Sequence, residues 1–201
     1  MSPTVLLLGN PNCGKSTIFN ALTGLDAKVA NYPGITVDAA VGSFKSITGQ
    51  NIKIVDLPGT YSLIPASEEE LVTTNALLGN IDNLKHDLVA VVIDIHQLRR
   101  GLYLYWQVIE LGFKAMIILN MADDVSKNRK DYIEQLIKTN TNTQVIVLEL
   151  AQTKTITKLK NMISAILSGS LITAIKEFPL LYKGFSENLQ SKLLKIGRAH
   201  V

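Results

Sequence analysis

Gly9-Asn10-Pro11-Asn12-Cys13-Gly14-Lys15-Ser16 fits the spacing G-x-x-x-x-G-K-[ST]. Two glycines let a backbone turn tightly enough for several N–H groups to face one point, which suits phosphate oxygens. A helix opening at the lysine adds the positive end of its dipole. Lys15 would reach the outer phosphates and Ser16 Oγ would ligate Mg²⁺. An ordinary glycine-rich turn is the competing reading, but an apolar strand-like run precedes the motif and helical spacing follows it. Cys13 invites a redox reading; a small residue at a permissive loop position accounts for it more simply.

Three further stretches extend the chemistry. "IVDLPGTYSL" ends a strand with Asp56-Leu57-Pro58-Gly59, where the carboxylate can hold Mg²⁺ through a water and the Gly59 N–H can meet a γ-phosphate. "ILNMAD" supplies Asn120, Met121 and Asp123. Asp123 can accept from both guanine N1–H and the exocyclic amine; adenine would leave the carboxylate unpaired, a penalty of roughly 1–3 kcal/mol or more. Helix capping by Asp123 or Asp124 is the alternative. Met121 stands where a lysine is common, removing a packing and loop-tethering contact. "NYPGITVD" lies where a mobile switch belongs, with Thr36 closing on Mg²⁺ through its hydroxyl and on the γ-phosphate side through its backbone. These parts describe GTP hydrolysis by positioning and charge neutralisation, with water attacking the γ-phosphate. Thr60 and Tyr61 follow Gly59, so the water-orienting glutamine of many GTPases is absent and slow intrinsic turnover is expected.

The elements that must position these residues alternate along the chain. Strands are expected at Thr4–Leu8, Ala39–Phe44, Asn51–Asp56, Leu88–Asp94, Ala115–Asn120 and Gln144–Leu148, and helices at Lys15–Leu22, Ser67–Leu77, Leu98–Leu111, Arg129–Lys138 and Lys154–Leu167. The third helix shows one apolar stripe, Leu98, Leu102, Tyr105, Trp106 and Ile109. "ITGQNIK" reads as a hairpin turn, which sets the second strand antiparallel to the third. The expected fold is α/β: a three-layer sandwich around a mostly parallel six-stranded sheet, of the P-loop GTPase (Ras-like) kind. This G domain spans 1–170, and the start of a separate helical segment spans 171–194. The last residues, 195–201, contain "IGRAHV", which can be spelled by a common sequencing adapter, so a native chain that continues past Leu194 is expected.

Composition narrows the function classes. The 201 residues are 47% hydrophobic, and no apolar run approaches the ~18 residues of a membrane span. The N-terminus lacks a signal-peptide pattern, and a single cysteine excludes an internal disulfide, in keeping with a reducing cytosol. Net charge is +3, but up to Ser170 there are 15 basic and 15 acidic residues. The excess falls in the tail, and a neutral main domain offers no phosphate-backbone footprint, so no nucleic-acid partner is expected. His86 and His96 stand beside strand ends without a second ligand at metal spacing and read as surface histidines.

Taken together, "GNPNCGKSTIFNALTG", "NYPGITVD", "DLPGTYSL", "LYLYWQVIELG" and "LNMAD" resemble the cytosolic G domain of bacterial ferrous iron transport protein B, one of the TrmE-Era-like GTPases, over about residues 1–170. The helical tail resembles the start of that family's spacer, a guanine-nucleotide dissociation-inhibiting segment. The resemblance implies GTP or GDP and Mg²⁺ as cofactors, with K⁺ as a further cation on Asn12. It assigns Asn12, Lys15, Thr36 and Gly59 to catalysis and Ser16, Thr36 and Asp56 to Mg²⁺. Its nucleotide contacts are Asn10, Pro11, Asn12, Cys13, Gly14, Lys15, Ser16 and Thr17, then Gly34, Ile35 and Thr36, then Asp56, Leu57, Pro58 and Gly59, then Asn120, Met121 and Asp123, and finally Leu150 and Ala151. One departure concerns the last loop, "LELAQTKTITKL", where Leu150 occupies the family's serine position and fast nucleotide release is expected. The implied partners are the rest of a transporter in cis (spacer and membrane domain), further copies of the chain and a small cytosolic accessory protein. The implied setting is the cytoplasmic face of the bacterial inner membrane, with this fragment itself soluble. Two competing functions are a soluble GTPase of ribosome assembly or tRNA modification, and a scaffolding nucleotide binder without hydrolysis.

Overall fold

Apolar runs covered on both faces build the centre of the molecule. The structure is a computed structural model that describes residues 2–24, 28–30, 39–81, 84–149 and 153–171. Its strands are Thr4–Gly9 (β1), Lys28–Ala30 (β2), Ala39–Lys45 (β3), Asn51–Asp56 (β4), Leu88–Asp94 (β5), Ala115–Asn120 (β6) and Val145–Val147 (β7). They form one sheet in the order β2-β3-β4-β1-β5-β6-β7. β4, β1, β5, β6 and β7 run parallel, while β3 is antiparallel to β4 through a turn closed by Ser46 N donating to Gln50 O at 2.8 Å. All six expected strands are present. The sheet nevertheless holds seven: β2 adds itself antiparallel along the edge of β3, and three residues are too few to show a period.

Five helices cover the sheet: Lys15–Thr23 (α1), Glu68–Leu78 (α2), Leu98–Glu110 (α3), Lys127–Thr141 (α4) and Thr153–Leu167 (α5). Successive side chains of a strand point to opposite faces, so β1 sends Leu6 and Leu8 to one layer and Val5 and Leu7 to the other. The first layer packs on Leu77 of α2, Leu104 and Val108 of α3 and Ile133 and Ile137 of α4. The second packs on Ile18, Phe19 and Leu22 of α1 and Leu159, Ile163 and Ile166 of α5. Burying each such side chain is worth about 1.5–3 kcal/mol, and the three-layer sandwich follows.

Several boundaries differ from expectation for local reasons. Ser67 caps α2 rather than opening it, its Oγ accepting from Glu70 N at 3.2 Å. α4 starts two residues early, after Ser126, and ends at Asn142, which takes a left-handed φ of 50°. The buried face of α3 is shifted from the expected stripe: Tyr105 and Ile109 are buried as expected, Gly101, Leu104 and Val108 are buried as well, and Leu98, Leu102 and Trp106 are only partly covered. Gly101 faces β5 so closely that a Cβ would lie 2.3 Å from Ile93 Cγ2. After α5, Leu171 N donates to Ala165 O at 3.0 Å; the rest of the expected helical segment and the 195–201 tail lie outside the described residues.

Candidate nucleotide-binding site

A parallel sheet delivers its carboxyl ends to one edge, where ligands of such folds bind. Register brings Gly9 opposite Val92, Leu7 opposite Asp56 and Asp94 opposite Asn120. The phosphate motif, Asp56 and the Asn120–Asp123 segment therefore share that edge, although they are scattered over more than a hundred residues of sequence.

Gly9 closes β1 so tightly that a Cβ would fall 2.4 Å from Val92 O. Asn12 then adopts φ 63° and Gly14 φ 88°, turning the loop into α1. Gly14 occupies the helix N-cap without any side-chain cap, so the first N–H groups of α1 remain available to an anion. Lys15 is buried, as is Cys13, whose thiol is pushed up by burial and drawn partly back by Lys15. Asn12, Ser16 and Thr17 are exposed.

Ser16 Oγ donates to Asp56 Oδ2 at 2.7 Å. The other oxygen, Asp56 Oδ1, is buried and accepts no hydrogen bond among the described residues. Burial raises the Asp56 carboxyl above its ordinary value, against the pull of the Ser16 hydroxyl and the Lys15 charge. An orphaned carboxylate oxygen beside a serine hydroxyl fits a hard divalent cation of the Mg²⁺ kind, which takes one or two protein oxygens and keeps its other positions for water and phosphate. The residues present thus fit the implied metal.

The base-side loop is joined directly to the phosphate cradle. Asn120 is buried, and its Nδ2 donates to Cys13 O at 3.0 Å. A Cβ on Gly14 would collide with that amide at 2.2 Å and reach Met121 Cε at 3.5 Å. Met121 takes a left-handed φ of 59°, and Asp123 is exposed. The capping alternative is not met, since Ser126 precedes α4. Beyond β7, Lys130 Nζ pairs with Glu149 at 2.6 Å. Leu150 and Ala151 lie outside the described residues, and so do Gly34, Ile35 and Thr36.

Gly59 meets the cradle at Pro11, whose Cα would lie 2.9 Å from an added Cβ, and Thr60 N donates to Gly9 O at 3.2 Å. The segment after Gly59 is held by residues that motif spacing did not single out. Glu70 accepts from Tyr61 N at 3.2 Å and Ala66 N at 2.8 Å, and lies 3.2 Å from Thr60 Oγ1. Gln107 accepts from Leu63 N at 2.8 Å and donates to Ser62 Oγ at 3.1 Å. Thr73 and Thr74 donate to Pro58 O and Leu63 O. The spacing Ser67-x-x-Glu70 is a capping-box signature that could have flagged Glu70, but its carboxylate reaches back to the loop instead of to Ser67 N. Of the two expected surface histidines, His96 lies at the surface and His86 does not. His86 is half-buried, with Nε2 2.8 Å from Leu77 O and its ring 5.0 Å from Phe113. His96 is exposed, but its Nε2 lies 3.1 Å from Met121 O and 3.0 Å from Asp124 Oδ1.

Comparison with known proteins agrees with this geometry. The sequence family described as ferrous iron transport protein B matches residues 3–163. The Fe(2+) transporter FeoB of Leptospira biflexa is 34% identical over 160 residues, covering 80% of this chain and 23% of the relative. A Fe(2+) transport protein A/Fe(2+) transporter FeoB fusion protein of Porphyromonas gingivalis is 46% identical over 123 residues, 61% of this chain and 14% of the relative. The chain thus spans less than a quarter of these curated relatives' length. The cytosolic domain of T. maritima FeoB in a GDP form superposes with TM-score 0.78 at 25% identity, covering 98% of this chain and 87% of that one. The FeoB G domain of Methanococcus jannaschii superposes with TM-score 0.64 at 35% identity, covering 83% and 98%. The chain is an N-terminal G domain with the P-loop GTPase fold, and it belongs to the ferrous iron transport protein B family.

Proposed function

We propose that the chain binds GTP and GDP together with Mg²⁺, hydrolyses GTP slowly, and serves as the regulatory G domain of a ferrous iron membrane transporter. The observation that carries this reading is the Ser16–Asp56 pair with its orphaned Oδ1 at the foot of an uncapped helix. Backbone N–H groups from Asn12 to Ser16 and the Lys15 ammonium hold the β- and γ-phosphates. Ser16, Asp56 and Thr36 hold Mg²⁺, which supplies charge neutralisation on the phosphate oxygens when bound. Gly59 N–H meets the γ-phosphate, and Asn120 with Asp123 reads guanine. Water attacks the γ-phosphorus, the bond to the β-bridging oxygen breaks, and GDP and inorganic phosphate leave.

Slow turnover is supported by the residues after Gly59. Thr60 is buried with its hydroxyl 2.5 Å from Ser62 O, and no glutamine stands there. Asn12, exposed at the tip of the cradle, is suited to present its side-chain carbonyl to K⁺ beside the phosphates and so add positive charge. Phosphate release measured in K⁺ and Na⁺ buffers tests both parts. Faster release in K⁺, lost in Asn12→Ala, is expected; no release in either buffer refutes hydrolysis, and equal release refutes the K⁺ role. For the whole protein, relatives named as Fe(2+) transporters support Fe²⁺ as cargo and a membrane domain in the same chain. Solved structures described as cytosolic domains support the cytoplasmic face of the inner membrane as the setting; further copies of the chain follow from the family resemblance alone. The fused relative supports a small accessory protein as partner. No described helix is long and apolar enough to cross a membrane.

A further inference from the structure

We infer that His96 is a positioning residue for guanine recognition, strapping the Asn120–Asp123 loop to the end of β5 in place of the tether that a lysine at position 121 would provide. The inference rests on the guanine reading above. Asn120 leaves β6 buried and bonded to the phosphate loop, after which the backbone turns through Met121 at φ 59°. A non-glycine residue in that region is strained by roughly 1–3 kcal/mol and persists only when its surroundings hold it. Met121 lacks any side-chain donor, and its thioether end lies near Gly14.

The missing donor comes from the 3-10 turn Ile95–Gln97 that follows β5. His96 Nε2 lies 3.1 Å from Met121 O and 3.0 Å from Asp124 Oδ1. Met121 O can only accept, so Nε2 carries the proton and the ring spans both acceptors. These acceptors flank Asp123 on either side in the chain. His96 is fixed in turn at its own backbone, where its N–H donates to Asp94 Oδ1 at 2.9 Å, and Asp94 Oδ2 accepts from Gln97 Nε2 at 3.1 Å. The connection therefore runs from β5 through Asp94 and His96 to Met121 and Asp124, two positions before and one position after the guanine-reading Asp123. Nothing in it requires His96 to touch the nucleotide.

Release of a fluorescent GDP from the chain tests this, with affinities for GDP and IDP measured alongside. IDP lacks the exocyclic amine that Asp123 would accept from. In His96→Ala, release is expected to quicken about fivefold, the scale of one or two exposed hydrogen bonds, and the GDP-to-IDP affinity ratio is expected to fall. His96→Gln, whose amide can donate from a similar place, is expected to restore both. A general loss of stability would weaken both nucleotides alike and leave the ratio unchanged. Unchanged release in His96→Ala, an unchanged ratio, or a His96→Gln variant that behaves like alanine overturns the strap while leaving guanine binding intact. A native chain that binds neither nucleotide overturns the guanine reading itself, and the strap with it.

Discussion

Replacing Gly14 by alanine tests whether the phosphate and base loops are one mechanical unit. Gly14 sits at φ 88°, ψ 22°, and alanine in the left-handed region costs about 1–2 kcal/mol. The added Cβ would also stand 2.2 Å from Asn120 Nδ2. That amide cannot yield without losing its bond to Cys13 O, worth about 1 kcal/mol, or about 1–3 kcal/mol if the buried group is left unpaired. The total is about 2–5 kcal/mol, a large share of the 5–15 kcal/mol that typically holds a domain folded. Gly79 provides the internal control, because it has φ 73°, ψ 18° at the end of α2 and open space where its Cβ would be. Gly79→Ala should therefore cost only the backbone component and leave GDP affinity untouched. Thermal unfolding followed by circular dichroism, with and without GDP and Mg²⁺, gives both quantities. Gly14→Ala should melt several degrees below Gly79→Ala and gain little from nucleotide. If the two variants melt together and bind GDP equally, the coupling between the loops does not exist.

Asp56→Asn removes a buried charge whose Oδ1 has no partner while keeping an acceptor for Ser16. Without ligands it should melt at or above the native chain, yet lose the stabilisation that Mg²⁺ with GTP analogue confers; unfolding scans at stepped Mg²⁺ check both halves. Glu70→Ala deletes the acceptor for Tyr61 N and Ala66 N, so stability should fall by about 1–2 kcal/mol. The 60–66 loop should then become the first site of limited proteolysis, and an unchanged cleavage pattern would show that Gln107 and the threonines suffice. Asp123→Asn should move preference from GTP toward xanthosine nucleotides, as measured by competition binding.

Much of the frame was readable because it is buried on both sides. β5 and β6 are continuous apolar runs, and the phosphate motif names its own residues and flanking elements. On α3 the expected Tyr105 and Ile109 are interior, but Leu102 and Trp106 pack on the core only partly covered, whereas Gly101 is interior because its lack of a side chain lets the helix approach Ile93. The supports of the site were least legible. Glu70 acts on residues up to 10 positions back, Gln107 on residues 44 and 45 positions away, and His96 on residues 25 and 28 positions ahead. The Ser67-x-x-Glu70 spacing points at Glu70 but not at the loop it holds. No local pattern encodes the longer pairings of Gln107 and His96, which form only once the chain is folded.

Cys13 turns the cradle into its own recorder. It is the chain's single thiol, 2% exposed, with its ionisation hindered by burial. An alkylating reagent can reach it only while the turn between β1 and α1 is sprung. The rate at which iodoacetamide caps this sulfur therefore clocks how often the pocket breathes, and a bound nucleotide should slow that clock.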